Sequence, residues 1–386
     1  MTDNYIYNEY LKIIYINNID VCLLSNETSK KIRIPKLLYD EIIKSSNNVN
    51  PLFEYINPKT LILLLENNVF IPSKYKNIYK YGLLNTNVAI KGLGASLSTL
   101  NFENHRKWSI IGINTYSNND LGHSLTQPGT NIIRKCLKLY ENAKESKYII
   151  DTNRKKTFQS RDVLPFDLGD LLINNHYETI EDLDSKITFI MKRLKKLKNT
   201  PIFIAGGHDI SFYLIKNITS VSNQKINIVH FDAHTDKYNN DTQISRGNFM
   251  NHVLQLEHVQ EVQHIGIREF ESSNELYSFE NIITSYDLHN NNNIPISFNS
   301  NELPVYITFD ADIFDPIYAK EVNYPVIGGA NFYDILRIFE NICDEYSVIG
   351  ADFVECFEND QKYNYTASLI SNFITLLLNE GKTIYE

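Results

Sequence analysis

His230-Phe231-Asp232-Ala233-His234-Thr235-Asp236 and Thr308-Phe309-Asp310-Ala311-Asp312-Ile313-Phe314-Asp315-Pro316 each set metal-type ligands at alternate positions just after an apolar run. Residues two apart in an extended strand point to the same side. Asp232, His234 and Asp236 therefore converge from one strand end, and Asp310 and Asp312 from another. Carboxylates gathered this way repel one another, and their pKa values rise until some become neutral. Two divalent cations cancel four carboxylates. A single Asp-x-His-x-Asp run is compatible with solvated loop acids; the second strand-end pair makes a metal site the better reading.

The donor set narrows the ion. Carboxylates with one or two imidazoles suit a hard or borderline cation such as Mn²⁺. None of the four cysteines lies in these stretches. A third stretch supplies another ligand. Ile202-Phe203-Ile204-Ala205 reads as a buried strand running into Gly206-Gly207-His208-Asp209. The two glycines allow a tight turn and a close backbone approach. His208 then lies just past a strand end, where open α/β sheets collect ligands. The expected metal ligands are His208, Asp232, His234, Asp236, Asp310 and Asp312.

Gly-Gly-His, then Asp-Ala-His-Thr-Asp, then Phe-Asp-Ala-Asp-x-x-Asp-Pro, in that order, resembles the ureohydrolase superfamily of arginase, agmatinase and formiminoglutamase. Ser109–Ile113, Gln127–Arg134, Phe166–Asp170, Ile265–Arg268, Gly328-Gly329 and Asp352–Glu355 are similar to further family segments. The resemblance runs over about residues 106 to 386. It implies two Mn²⁺ per subunit. One would be held by His208, Asp232, Asp236 and Asp310, the other by Asp232, His234, Asp310 and Asp312. Asp236 is then both a ligand and a catalytic residue. Glu355 matches the family glutamate that pairs with a guanidinium, and a carboxylate offers that cation a two-point match. Asp315 reads as a structural cap of the loop presenting Asp310 and Asp312.

One departure bears on the substrate. Guanidine-cleaving members carry a histidine after the Asp-Ala-His motif that helps shuttle protons. Here the segment is Ile244-Ser245-Arg246-Gly247-Asn248-Phe249, with Arg246 in that place. Arginine stays protonated near neutral pH and cannot shuttle protons. Arg246 and Asn248 are therefore expected to bind substrate, and His252, six residues on, is the candidate replacement shuttle.

The chain has 386 residues, 43% hydrophobic, with net charge −9. That length suits one large α/β domain plus a small one. The acidic balance argues against nucleic acid as the main partner. Cys22, Cys136, Cys343 and Cys356 form no Cys-x-x-Cys pair and read as thiols in a reducing compartment. No signal peptide or membrane-spanning apolar run is evident in the sequence, so the expectation is a cytoplasmic protein with no membrane partner.

From residue 106, strand-like runs (109–114, 201–205, 226–231, 262–267, 305–309 and 348–353) alternate with helical patterns such as 180–198 and 331–346. This predicts an α/β fold, a parallel sheet with helices on both faces, and the family resemblance implies the three-layer arrangement of arginases. Residues 1–80 differ: short strands, then a helix from Pro35, a second from Thr60 and a terminal strand. This predicts a small α+β, winged-helix-like domain, with 81–105 as a connector and 106–386 as the catalytic domain. The order of elements resembles PqqD-type leader-peptide recognition domains; an extension used for packing or oligomer contacts is the alternative.

The expected function is a binuclear manganese hydrolase cleaving a C–N bond of a guanidino or amidino group. The substrate would be a small guanidino molecule or an arginine within a precursor peptide, giving ornithine and urea. A formiminoglutamase-like enzyme releasing formamide is one alternative, and a non-catalytic scaffold with a peptide-binding first domain is another. The resemblance also implies a homo-oligomer.

Overall fold

The computed structural model describes residues 5–7, 11–24, 31–66, 69–72, 84–85, 88–91, 93–95, 106–114, 128–137, 139–171, 179–238, 242–270, 281–291, 294–359 and 363–386. The first part contains β1 (Tyr5–Tyr7), β2 (Lys12–Ile16), β3 (Asp20–Leu24), β4 (Lys31–Pro35) and β5 (Phe70–Pro72), with helices Lys36–Lys44 and Pro58–Glu66 before β5. Strands β2, β3 and β4 pair antiparallel in that order. Alternation along β4 turns Ile32 and Ile34 inward, onto Tyr39, Ile42, Leu64 and Phe70. Strand β1 has no periodicity long enough to read in the sequence. It pairs antiparallel with β5 and closes this small α+β unit.

The larger part contains β6 (Leu84–Asn85), β7 (Trp108–Ile113), the hairpin β8 (Tyr148–Asp151) and β9 (Lys156–Gln159), β10 (Phe166–Leu171), β11 (Thr200–Ala205), β12 (Ile226–Phe231), β13 (Val259–Ile267), β14 (Ile282–Thr284), β15 (Val305–Asp310), β16 (Ser347–Val354) and β17 (Lys382–Thr383). One sheet has the order β14-β13-β12-β15-β16-β11-β7-β10-β6, with β17 beside the start of β16. The pairs from β14 to β10 are parallel, and β6 adds an antiparallel edge. The stretch expected as a connector thus contributes a strand to this sheet, and Ile90 and Leu93 enter its core.

Both faces are buried, which is why these strands read as unbroken apolar runs. Ile202 and Ile204 pack on one face, Phe203 and Ala205 on the other. Helices Ile180–Lys196 and Ile210–Ser222 cover the second face, and Phe332–Glu345 and Tyr365–Glu380 the first. Thr179 and Asp182 form a capping box that starts the helix Ile180–Lys196, and its last turn carries Arg193, Lys195 and Lys196 against the carbonyl end of the dipole. The lysine-rich stretch 192–198 at its end turns Lys192, Lys195, Lys196 and Lys198 to solvent, while Leu183, Ile187, Ile190 and Leu194 are buried. Among the described residues no helix is long and apolar enough to cross a membrane.

A buried ion pair ties the first segments of the sheet. Arg134 Nε lies 2.9 Å from Asp167 Oδ2, Nη1 pairs with Asp170, and Nη2 donates to the Gly169 carbonyl at 3.0 Å. Gly169 takes φ +76°, and a Cβ at Gly112 would collide with the Asp170 carboxylate. Both positions accordingly require glycine.

Under the ligand-bearing strand ends lies an aromatic cluster. The Phe309 ring is 5.0 Å from Phe231, 5.4 Å from Phe353 and 5.3 Å from Phe373. Phe309 is fully buried and adjoins Asp310. Truncating such a side chain costs the transfer free energy plus a cavity. Phe309→Ala is expected to destabilise the protein by about 3–5 kcal/mol, measured as a fall in the denaturation midpoint with the slope unchanged. A loss under 1 kcal/mol would contradict this packing.

Candidate metal centre

Strands β12, β15, β16 and β11 are consecutive neighbours in the sheet and parallel, so their carboxyl ends lie side by side. Just beyond them come Asp232, His234 and Asp236 after β12, Asp310 and Asp312 at the end of β15, Glu355 after β16, and His208 after β11. This is how residues up to 147 apart in sequence reach one another.

His208 Nδ1 lies 2.9 Å from Asp232 Oδ2, 3.1 Å from Asp236 Oδ2 and 3.1 Å from Asp310 Oδ2. His234 Nδ1 lies 3.0 Å from Asp312 Oδ2 and 3.3 Å from Asp232 Oδ1. The two oxygens of Asp232 thus face the two imidazoles, the arrangement expected of a carboxylate shared between two ions. Donor atoms of His208, His230, Asp232 and Asp236 fall within one coordination-sized group, and those of Asp232, His234 and Asp312 within a second.

The orientation of His208 tests the fit. Its Nε2 is 2.9 Å from Thr308 Oγ1, whose hydroxyl donates to Asp352 Oδ1 at 2.8 Å. Thr308 therefore accepts from Nε2–H, and in the neutral ring the Nδ1 lone pair points among the carboxylates. Three carboxylate oxygens are within hydrogen-bond distance of Nδ1, yet it makes no directed hydrogen bond. A ring held by its far nitrogen, with its near nitrogen aimed into oxygen donors, has the posture of a metal ligand. With no thiolate in the set, these residues fit a pair of hard or borderline divalent cations.

Electrostatics say the same. Burial and the charge of Asp232 push the Asp236 carboxyl well above its usual range. Burial, Asp312 and Asp232 do so for Asp310, and burial and Asp232 raise Asp312. Burial opposes charge on His208, but Asp232, Asp236 and Asp310 outweigh it and raise its pKa well above the ordinary imidazole value. Burial likewise opposes His234, which Asp232 and Asp312 lift to about 12. Asp232 goes the other way: His208, His230 and His234 overcome burial and hold it well below the usual range. Protons thus compete for the places that cations would take.

Several supporting residues carry no motif of their own. Asp352 accepts from Thr308, from Ser211 Oγ at 3.0 Å and from Tyr306 Oη at 2.7 Å. Beneath Asp232, His230 Nε2 is 3.1 Å from Asp232 Oδ2, and His230 Nδ1 is 2.8 Å from His264 Nδ1. Burial depresses the pKa of His230 to about 4 and that of His264 well below normal, so the pair is neutral. His230 was legible in principle: it is two residues before Asp232 and shares its face. Arg268 donates to the carbonyls of Asp312 (2.6 Å) and Val326 (2.9 Å), which fixes the loop after β15. Asp315 serves the same loop as expected, accepting from the backbone N–H groups of Ile317, Gly328 and Gly329.

Gly206 and Gly207 are absent from the positive-φ positions. What Gly207 provides is room, since a Cβ there would meet Asp209 Oδ1 at 2.5 Å. The left-handed conformation falls instead on Asp236 (φ +51°) and Glu355 (φ +57°). Non-glycine residues held there cost on the order of 1 kcal/mol or more. Both are in the cluster, where the turn of the backbone aims the carboxylate.

A cavity of about 330 Å³ opens over the cluster, lined by His208, His234, Asp236, Asp310, Asp312 and Glu355, with Tyr238, Arg246, Val322 and Tyr324 among the other walls. Glu355 Oε1 accepts from His208 N–H at 3.0 Å, and Oε2 from Arg246 Nη1 at 3.0 Å. Burial raises the Glu355 pKa to about 7, with Arg246 and the His208 N–H pulling it down. The other sequence candidates lie apart from the cavity wall. Asn248 is buried and turned to its own loop, accepting from Ser245 N–H at 2.8 Å and donating to the Gln243 carbonyl at 3.0 Å. His252, on the short helix Phe249–Val253, packs edge-on against Phe212 at 5.9 Å.

A parallel three-layer α/β sheet with a shared-carboxylate ligand cluster at its carboxyl edge defines a binuclear-metal hydrolase fold. The sequence profile described as the arginase family matches residues 106–378, and the chain belongs to that family. It is 28% identical to an agmatinase of Proteus mirabilis over 193 residues, 49% of this chain and 61% of that protein. It is 26% identical to an agmatinase of Neisseria gonorrhoeae over 280 residues, 70% of this chain and 86% of that one. The fold is similar to that of formimidoylglutamase from Bacillus subtilis, with a TM-score of 0.57 and 20% identity, covering 76% of this chain and 91% of the other.

Metal binding competes with the protons the cluster holds, since His208, His234, Asp236 and Asp310 all have pKa values raised well above their usual ranges. Asp232 is already ionised and contributes none. Affinity is therefore expected to rise with pH, with net proton release on binding. Calorimetric titration with Mn²⁺ in buffers of different ionisation enthalpy measures that release. A binding heat independent of buffer, with affinity flat from pH 6 to 8, would contradict the arrangement.

Proposed function

We propose that this protein hydrolyses a C–N bond of a guanidino group, converting an arginine-type substrate, free or within a peptide, to urea and an ornithine-type amine. The observation that carries this is a single cavity in which a two-cation ligand cluster faces the buried carboxylate of Glu355. The names of the two agmatinase relatives are consistent with guanidino chemistry. The family resemblance and the oxygen-rich, thiolate-free donor set favour Mn²⁺.

His208, Asp232, Asp236 and Asp310 would hold one ion and Asp232, His234, Asp310 and Asp312 the other. Bound together, such ions bring the pKa of water toward neutrality and so provide a nucleophile. The chain's own residues position the electrophile. Glu355 is anchored through Oε1 by the His208 N–H, so its carboxylate cannot swing away. It retains acceptor capacity for a planar cation. Glu355 and the ligand cluster line one cavity, so a guanidinium paired with Glu355 would be held beside the cluster, and positioning of this kind removes much of the entropic barrier. The tyrosines Tyr238 and Tyr324, both exposed to solvent, form part of the cavity wall. The overall reaction adds water to the guanidinium carbon, breaks one C–N bond and returns a proton to the departing amine. Arg246 stands where the family's proton-carrying histidine falls and cannot do that work.

Arg246 beside Glu355 supports a second reading: a formiminoglutamase-like enzyme whose substrate brings a carboxylate to Arg246 and releases formamide. The complete ligand set argues against a non-catalytic scaffold. The N-terminal α+β unit is the part we assign to a peptide substrate, if the arginine is presented in one.

Protein reconstituted with Mn²⁺ should release urea from arginine or an arginine-containing peptide in a colorimetric assay. Formamide from formiminoglutamate would favour the second reading, and no product from any candidate by metal-loaded protein would overturn both. Glu355→Gln should retain its metal and lose roughly 100-fold in kcat/KM, since the neutral amide no longer pairs with a cation. A loss below about threefold would remove Glu355 from the site.

A further inference from the structure

His264 belongs to no motif and is not among the expected ligands, yet only one residue separates it from the shared carboxylate. Strands β12 and β13 run parallel with His230 opposite His264. Both residues are buried. His230 Nδ1 lies 2.8 Å from His264 Nδ1, and His230 Nε2 lies 3.1 Å from Asp232 Oδ2.

The order of these contacts fixes where the protons are. An ionised carboxylate only accepts, so the contact with Asp232 places a proton on His230 Nε2. Burial disfavours a charged imidazole, which leaves His230 Nδ1 as a bare acceptor. The nitrogen 2.8 Å away then has to donate, so the proton of His264 sits on Nδ1. The chain runs one way, from His264 Nδ1–H to His230 Nδ1 and from His230 Nε2–H to Asp232 Oδ2. The other oxygen of Asp232 accepts from the His234 N–H at 2.6 Å. Both oxygens of the shared carboxylate are thus held, one by backbone and one by this pair of rings. The rings are themselves fixed: the His264 N–H donates to the Asn281 carbonyl at 2.8 Å, and Phe249 packs edge-on against His230 at 5.9 Å.

We propose that His264 is a positioning residue of the metal centre, which by donating to His230 fixes the ring that aims the Asp232 carboxylate at both cation positions. The proposal rests on the two-cation reading and deepens it. Each bond of such a chain polarises the next, so the donor from His264 strengthens the one that His230 gives to Asp232. Without that donor, His230 Nδ1 is a buried acceptor with its partner removed, which is costly. The ring then gains by turning toward another donor, and the carboxylate loses its fixed orientation. Hydrogen-bond partners of this outer kind tune the affinity of a metal site.

The test is calorimetric titration of Mn²⁺ into wild type, His264→Leu and His264→Asn, with melting curves of the metal-free proteins to establish folding. Leucine fills the space and has no donor. Asparagine fills it less well and keeps an amide N–H near the place of Nδ1. His264→Leu should bind Mn²⁺ roughly tenfold more weakly than wild type, and His264→Asn should stay within about threefold. A packing role predicts the opposite order. That order, or His264→Leu binding as tightly as wild type, would overturn the proposal. In the His230→Gln background the link is already broken, so adding His264→Leu should cost nothing further; a second loss of the same size would also overturn it. Spectra of metal-free protein labelled with ¹⁵N-histidine give a readout independent of the ions. The ring missing from His264→Asn should be neutral with its proton on Nδ1, and a proton on Nε2 would reverse the chain and sink the proposal. Wild type that shows this tautomer and takes up no Mn²⁺ would sink the two-cation reading instead.

Discussion

Four carboxylates and two imidazoles share one buried volume at the edge of the central sheet, and the charge they carry has to be neutralised there. Like charges at such distances in a poorly solvated site drive one another to bind protons or cations. Asp232 shows the tension most clearly. It is ionised and faces a histidine on either side, while Asp236, Asp310 and Asp312 are all pushed upward. A protein stabilised by such a cluster in the absence of cations would be hard to explain. One that stores the cluster for two divalent ions is straightforward.

The fold creates this concentration of charge through strand order. Because β12, β15, β16 and β11 are adjacent and parallel, each delivers its terminal residues to the same edge. The aromatic layer around Phe309 keeps those ends rigid from below. Threonine, serine, tyrosine and Asp352 orient His208 from the side, and Arg268 and Asp315 hold the loop beyond β15. Backbone strain is placed where aim matters, on Asp236 and Glu355. Reactive groups, supporting hydrogen bonds and packing thus belong to one structural unit, the carboxyl edge of four strands.

How much of this was legible in the sequence follows from the range of each interaction. The ligands could be read because a two-residue period fixes which side chains share a face, and because each run follows an apolar strand. The helix 180–196 and the buried strands could be read from their own periodicity. Strands of two to four residues, such as β1, β6 and the β8–β9 hairpin, are too short to carry a period. The Arg246–Glu355 pair spans 109 positions and depends on where a loop folds back. His264 became visible only when β13 was placed beside β12. Asn248 and His252 were sensible choices by sequence distance. The structure turns the first into its own loop and packs the second against Phe212.

The account is tested most directly by counting metal. Purified protein, stripped with chelator, reloaded with Mn²⁺ and freed of excess, should carry two ions per chain by elemental analysis. Asp232→Asn, which removes the charge of the shared carboxylate, should carry one or none while remaining folded. Wild-type protein that takes up no divalent ion under these conditions would contradict the central claim, and so would an Asp232→Asn variant that still holds two.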